Sequence, residues 1–371
     1  MKISTAYIIP FLVLLIVSAA CSSGKKALQR GDYFTAVMTA TERLRTNPDH
    51  KKSKETLQES YRLAVEWCET SAKDIIASNA PNKYRNALRE YDRINVMYEA
   101  IRRSPGASKV IRHPVEKYQE VSNLKTMAAE ESYEAGIVAM MGSSREDARR
   151  AYFLFRDANN FVPGYRESLE MMAQAEFNAT LKVVFEENNL SYQSYTLEPT
   201  IMSAVSNQFI KFYPKGFAAN EAPDFADHLL FITIASMQPG VERVRSEVRT
   251  VADSVKTGER EVNGTKVPIK ERVEAELTIY TKQMNANGQT RVVIRDARTQ
   301  ATLLSRDVAS LFEWSDSWAT AKGDQRALNE EQRKLIAKRE SRISINDLMR
   351  GLQADMDRKV AAELREFYGR F

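Results

Sequence analysis

The side chains of this 371-residue chain with the strongest intrinsic chemistry are two thiols and three imidazoles, and their spacing limits what they can do. His50, His113 and His228 have no ligand spacing. No Cys pair, His-Glu-x-x-His or calcium-loop pattern accompanies them, so neither a metal nor a cofactor is expected. Cys68 follows Trp67 in a helical stretch, where a buried, unreactive thiol is the ordinary outcome. Neither a Gly-x-Ser-x-Gly elbow nor a glycine-rich phosphate loop occurs, and acidic pairs such as Glu186-Glu187 sit in polar stretches that solvation explains. No catalytic residue is expected.

Cys21 stands apart because of what precedes it. Lys2 is followed by an uncharged apolar stretch that ends in Ser18-Ala19-Ala20-Cys21, the charge, core and small-residue pattern of a secretory signal peptide. The apolar part, about 15 residues, is shorter than the ~20 a membrane-crossing helix needs. Ser-Ala-Ala-Cys resembles the lipobox of bacterial lipoproteins, although Ser18 stands where an aliphatic residue is usual. The resemblance implies cleavage between Ala20 and Cys21 and acylation of the Cys21 thiol. The partner of that end of the chain would then be a membrane, reached through lipid, since two or more acyl chains suffice for stable anchoring. Ser22-Ser23-Gly24 lacks the aspartate associated in such lipoproteins with inner-membrane retention, which implies an outer-membrane protein facing the periplasm.

The formal net charge of +5 is small for this length, and the charges are interspersed, as in Arg145-Glu-Asp-Ala-Arg-Arg; no nucleic-acid patch is expected. With Cys21 acylated, Cys68 has no partner for an internal disulfide.

From Lys25 to about Glu176, apolar residues recur at three- and four-residue intervals, which predicts helices. Turn chemistry breaks the pattern at Asn47-Pro48-Asp49, Asn79–Asn82, Ser104-Pro105-Gly106, Gly142-Ser-Ser and Pro163-Gly164. Gly31-Asp32-Tyr33-x-x-Ala36 with Pro48, and Ala151-x-x-x-Phe155-x-x-Ala158 with Pro163, resemble parts of the tetratricopeptide repeat. The two prolines are not separated by a multiple of that family's repeat of about 34 residues, so helical hairpins of uneven length are expected. Tyr84, Ala87, Leu88, Tyr91, Ile94, Met97 and Tyr98 form a stripe that either packs in the core or lines a concave groove for a partner. On the second reading Tyr84, Tyr91 and Tyr98 are the candidate contacts.

Near Phe177 the texture changes. Thr180–Glu186 and Asp227–Ser236 read as strands, Glu186–Tyr192 as a loop, and Ile201, Val205, Phe209 and Phe212 as one face of a helix. Val273 to Ile279 alternates apolar and polar, the period of a half-buried strand, and Asn287-Gly288 predicts a hairpin into Arg291–Arg295. Asn263-Gly264 predicts another. The valines at 241, 244, 248, 251 and 255 fit either a helix or a strand. Asp296-Ala-Arg-Thr-Gln-Ala resembles the strand–Asp-x-x-Thr-Gly–strand hairpin of curli-secretion-type lipoproteins, with Gln300 in place of the glycine. Trp314 and Trp318 would share a face if helical, either clamping the sheet to the terminal helices or forming an aromatic ledge for a partner or glycan. Ser344-x-x-Asp347 opens a last helix with Leu348, Leu352, Met356, Val360, Leu364 and Phe367 on one side.

The expectation is an α+β multidomain chain: a signal peptide over 1–20, a helical-hairpin, tetratricopeptide-like segment over 21–176, a mixed α/β sheet domain with long β-hairpins over 177–322, and C-terminal helices over 323–371. The function that fits is that of a non-catalytic cell-envelope lipoprotein acting as a protein-interaction scaffold or accessory in envelope assembly or secretion, with partners the residues do not name. A subunit of a curli-type export apparatus and a cell-wall or glycan-active enzyme are the alternatives.

Overall fold

The computed structural model describes residues 23–190, 194–218, 225–262 and 265–371. The signal segment, with Ala20 and Cys21, lies outside these residues, as does Asn263-Gly264. The chain is α+β and divides into two compact units between Ala179 and Thr180.

The first unit is helical: α1 (Lys25–Gln29), α2 (Tyr33–Thr46), α3 (Lys51–Ala77), α4 (Lys83–Arg102), α5 (Pro105–Val110), α6 (Tyr118–Met140), α7 (Arg145–Phe161) and α8 (Ser168–Ala179). Four of the five breaks read from turn chemistry fall between helices, and the fifth, Ser104-Pro105-Gly106, caps and opens α5. Local capping explains why. The Asp32, Ser104 and Ser144 side chains each accept a backbone N–H of the helix they start, and Pro105 takes a first-turn position where its missing N–H costs nothing. One core joins α2 to α5 and the start of α6; a second joins the far end of α6 to α7 and α8. Ala151, Phe155 and Ala158 are fully buried, and a Cβ on Gly136 would meet the Phe155 ring at 2.7 Å, so a glycine lets α6 and α7 close on that ring. The helical texture runs through Ala179, past the change read near Phe177.

The second unit is built on a six-stranded sheet: β1 (Leu181–Asn189), β2 (Ile210–Pro214), β3 (His228–Pro239), β4 (Arg243–Val262), β5 (Thr265–Asp296) and β6 (Thr302–Gly323). Strands β1, β2 and β3 are parallel, with α9 (Glu198–Ser203) and α10 (Lys215–Ala218) in their connections; the other pairings are antiparallel. Strand β5 carries β3 along 286–296 and β4 along 265–283 of one edge, and β6 along the other. Beyond the end of β3, therefore, β4, β5 and the second half of β6 continue as a three-stranded blade.

Helix α12 (Ile345–Tyr368) is capped by Ser344, which accepts from Asp347 N, and buries Leu348, Leu352, Met356, Val360, Leu364 and Phe367 against the sheet. The helix read from the stripe thus packs on its own domain. Helix α11 (Glu330–Ala337) closes a smaller core with Leu335 and Ile336 over Val273, Ala275 and Leu277 of the blade.

The structure departs from four sequence expectations. Glu186–Asn189 remains strand, because pairing with β3 extends to Asn189 opposite Ile234 and overrides local polarity. Ile201 is helical, but Phe209 and Phe212 belong to the approach and body of β2, where alternation sends Ile210 and Phe212 into the core through pairing with β1. Asn287-Gly288 is no turn: Gly288 pairs with Met237 and with Ser310, and a Cβ there would lie 3.0 Å from the Met356 sulfur. Its glycine serves the close approach of α12. Residues 312–323, with both tryptophans, are strand and not helix.

Candidate functional site

Two-residue alternation places Trp314 and Trp318 on the same face of β6, for a different reason than a helix would. Trp314, opposite Met284, packs into the main core. Trp318, opposite Tyr280, stacks on that ring with centroids 5.5 Å apart and planes 12° from parallel. On β4 the same face continues through Val244, Ser246 and Val248, opposite Lys282, Tyr280 and Thr278. Every residue from Arg243 to Thr250 is exposed, Val244 to 52% and Val248 to 59%. The odd positions of that stretch are Arg243, Arg245, Glu247 and Arg249, so the strand presents an uncharged face and a charged one. Exposed Val244 and Val248 share this face with half-buried Tyr280 and Trp318.

The root of the blade is tied by charge. Lys282, with a side chain 3% exposed, binds Glu242 at 3.0 Å and also Glu340. Buried Asp316, its neighbour across β5 and β6, binds Lys338 and accepts from Ser341 N at 3.1 Å. The segment between α11 and α12 is thereby strapped across the edge strand β6. Hydrogen bonding to Glu340 and Glu242 raises the Lys282 ammonium above its ordinary value, and the Lys338 ammonium with Ser341 lowers Asp316 to about 2. At neutral pH the lysine is held as a cation and the aspartate as an anion. Neither is poised to move a proton, which a general acid or base requires. Their arrangement makes ties.

Where β3 gives way to β4, Gly240–Glu242 leave the sheet, and Gly240 N donates to Asn285 O at 2.7 Å. A cavity of about 480 Å³ opens there, lined by Arg243, Gln283, Asn285, Asn287, Glu313 and Trp314, among others. Its walls offer planar amides and one indole, which hydrogen-bond and stack, together with the guanidinium of Arg243 and the carboxylate of Glu313.

No family model matches the chain, and no curated protein does.

The helical candidates do not converge. Tyr91 is 9% exposed and belongs to the core. Tyr84 is half-buried beneath Lys83 Nζ, and Tyr98 meets Tyr118 edge-on at 6.0 Å. Burial pushes the Cys68 thiol up to about 11, which keeps it protonated and weakly nucleophilic at neutral pH. Asp296 holds its turn by accepting from Arg298 N, Thr299 N and Thr299 Oγ1, and Gln300 sits at φ 59°, the left-handed conformation that a glycine would adopt without strain. Among the described residues no group of three or more His, Cys, Asp or Glu side chains could hold a metal ion, and no helix is long and apolar enough to cross a membrane. Sequence reading missed Val244 and Val248 as surface residues, for which alternation with Arg243, Arg245 and Arg249 was the available signal. It also missed Lys282, Glu340 and Asp316, for which there was none.

Proposed function

We propose that this chain is a non-catalytic lipoprotein of the bacterial envelope, anchored through Cys21 and acting as a protein-interaction scaffold or accessory in envelope assembly or secretion, with the β4 face of the blade as its contact surface. The observation that carries the proposal is the pair of exposed valines, Val244 and Val248, on a stretch of β4 that neither core includes, beside half-buried Tyr280 and Trp318 on the same face of β5 and β6. Apolar side chains grouped on an otherwise polar surface mark contact sites for other proteins. The address rests on Ser18-Ala19-Ala20-Cys21.

The blade also bears on the export-pore alternative. A hairpin inserted in a bilayer needs one uncharged face, yet Arg249, Asp253, Arg260 and Glu271 share the face of Val251, Val267 and Leu277. Each arginine at a bilayer midplane costs ~2–4 kcal/mol, so the hairpin favours water. The charge states of Lys282 and Asp316 likewise support contact over turnover.

A benzophenone amino acid at Val248, irradiated in intact cells, is expected to crosslink a specific envelope protein. Crosslinks to no protein, while the same residue placed at an unrelated exposed site behaves identically, would overturn the contact surface. Palmitate labelling that is lost on Cys21→Ala tests the address separately.

A further inference from the structure

The first helix among the described residues begins almost at the anchoring cysteine. Only Ser22 and Ser23 separate Cys21 from Gly24. Gly24 is fixed in the fold: its φ is +80°, its carbonyl accepts from Ala27 N and Leu28 N, and a Cβ on it would lie 2.6 Å from Ala36 O. A fully extended chain spans at most ~3.6 Å per residue, so three steps reach about 11 Å. That is comparable with the interfacial layer of a bilayer, which adds roughly 5–8 Å on each side of the hydrocarbon.

Given the lipoprotein reading, on which this inference rests, whatever surrounds Gly24 lies against the headgroups. Lys25, Lys26 and Arg30 of α1 and its end are all exposed there. The one acid among them, Asp32, is engaged in capping α2, its carboxylate accepting from Thr35 N at 3.1 Å. From α3, Trp67 projects beside the same corner, 62% exposed, its ring edge-on to Tyr33 at 6.4 Å. A cleft of about 230 Å³ between them is also lined by Gly31 and Arg93. An indole with one polar N–H and a broad apolar body suits the boundary between headgroup and acyl chain, and lysines beside it attract anionic lipid.

We infer that the corner of the helical unit formed by Lys25, Lys26, Arg30 and Trp67 is a docking surface for the anionic phospholipid bilayer that holds the Cys21 anchor. The acyl chains supply the attachment, and this corner sets the orientation of the helical unit on the membrane. A second protein covering Trp67 is the competing occupant, and the test separates the two.

The full lipidated protein, carrying Trp314→Phe and Trp318→Phe so that Trp67 is the remaining indole, is reconstituted into vesicles of phosphatidylethanolamine and phosphatidylglycerol, with and without brominated phosphatidylglycerol. The expected result is a blue shift and quenching of Trp67 emission by the brominated lipid, both lost when Lys25, Lys26 and Arg30 are changed to Glu, while the protein still floats with the vesicles. The charge changes lie at exposed positions, and an unaltered helical circular dichroism spectrum verifies the fold; quenching by brominated lipid of the parent protein stands as a readout without them. Protein that floats but leaves Trp67 unquenched overturns the docking surface alone. Protein that carries no palmitate and does not float overturns the anchor and the surface together.

Discussion

From Ala286 to Ile294, β5 buries its even-numbered residues beneath α12, whereas from Val273 to Leu277 the same strand buries its odd-numbered ones beneath α11. Pairing along β5 is continuous, so the change of parity is a change of face. One strand therefore threads two cores on opposite sides of one sheet. The root core is large, gathering Leu, Ile, Met and Phe side chains from β1, β2, β3, β5, β6, α9 and α12. The blade core is small and rests on a short helix. Between them, across Tyr280–Gln283, burial belongs to neither core, and there the strap residues Glu340, Lys338 and Ser341 bind Lys282 and Asp316. Where a strand passes from one core to another, charge and hydrogen bonding hold what apolar contact does not.

Truncation of the root core tests this contrast most strongly. Leu352→Ala removes a fully buried side chain and is expected to destabilise the sheet unit by ~2–5 kcal/mol. Denaturant unfolding followed by Trp314 and Trp318 emission in a Trp67→Phe chain measures it, and a loss under about 1 kcal/mol would place the stability elsewhere.

The junction comes next. Asp316→Asn weakens the contacts to Lys338 and Ser341, at an expected cost of ~1–3 kcal/mol. Its pH dependence has a definite sign. The folded carboxyl, at about 2, lies below its ordinary unfolded value of ~3.9, so its contribution is fully present above that value and disappears as pH falls from about 4 to 2. The stability gap between parent and variant should narrow through this window in denaturation midpoints. A gap independent of pH would mean that Asp316 acts through packing.

The smallest effect belongs to the open face. Val248→Ala is expected to change stability by less than ~0.5 kcal/mol in the same unfolding experiment, because its side chain is surrounded by water. A larger loss would reveal packing on β4 and turn the proposed contact surface into core.

Much of the helical unit was legible because its signals are local. Pro48, Ser104-Pro105 and Ser144 stop and start helices through bonds within a few residues, and the stripe from Leu348 to Phe367 needs only a 3.6-residue period to be read. The sheet was less legible where a residue answers to distant partners. Asn287-Gly288 carries turn chemistry, yet pairing on both edges and the nearness of Met356 make it strand. The valines of β4 fit two periods until β5 is laid beside them. Of the candidate site, the shared face of Trp314 and Trp318 was readable. Their different environments were not, since those depend on Met284, Tyr280 and α12.

By itself the sequence determined the breaks between most helices of the first unit, which residues of α12 face inward, and the small-residue run before Cys21, because each is a matter of covalent neighbours and period. Tertiary structure alone decided that β5 changes its buried face, that Lys282 and Asp316 become ties, and that Val244 and Val248 stay open to water. Those outcomes depend on contacts between residues tens of positions apart, and a face of a strand is inside or outside only with respect to what is laid upon it.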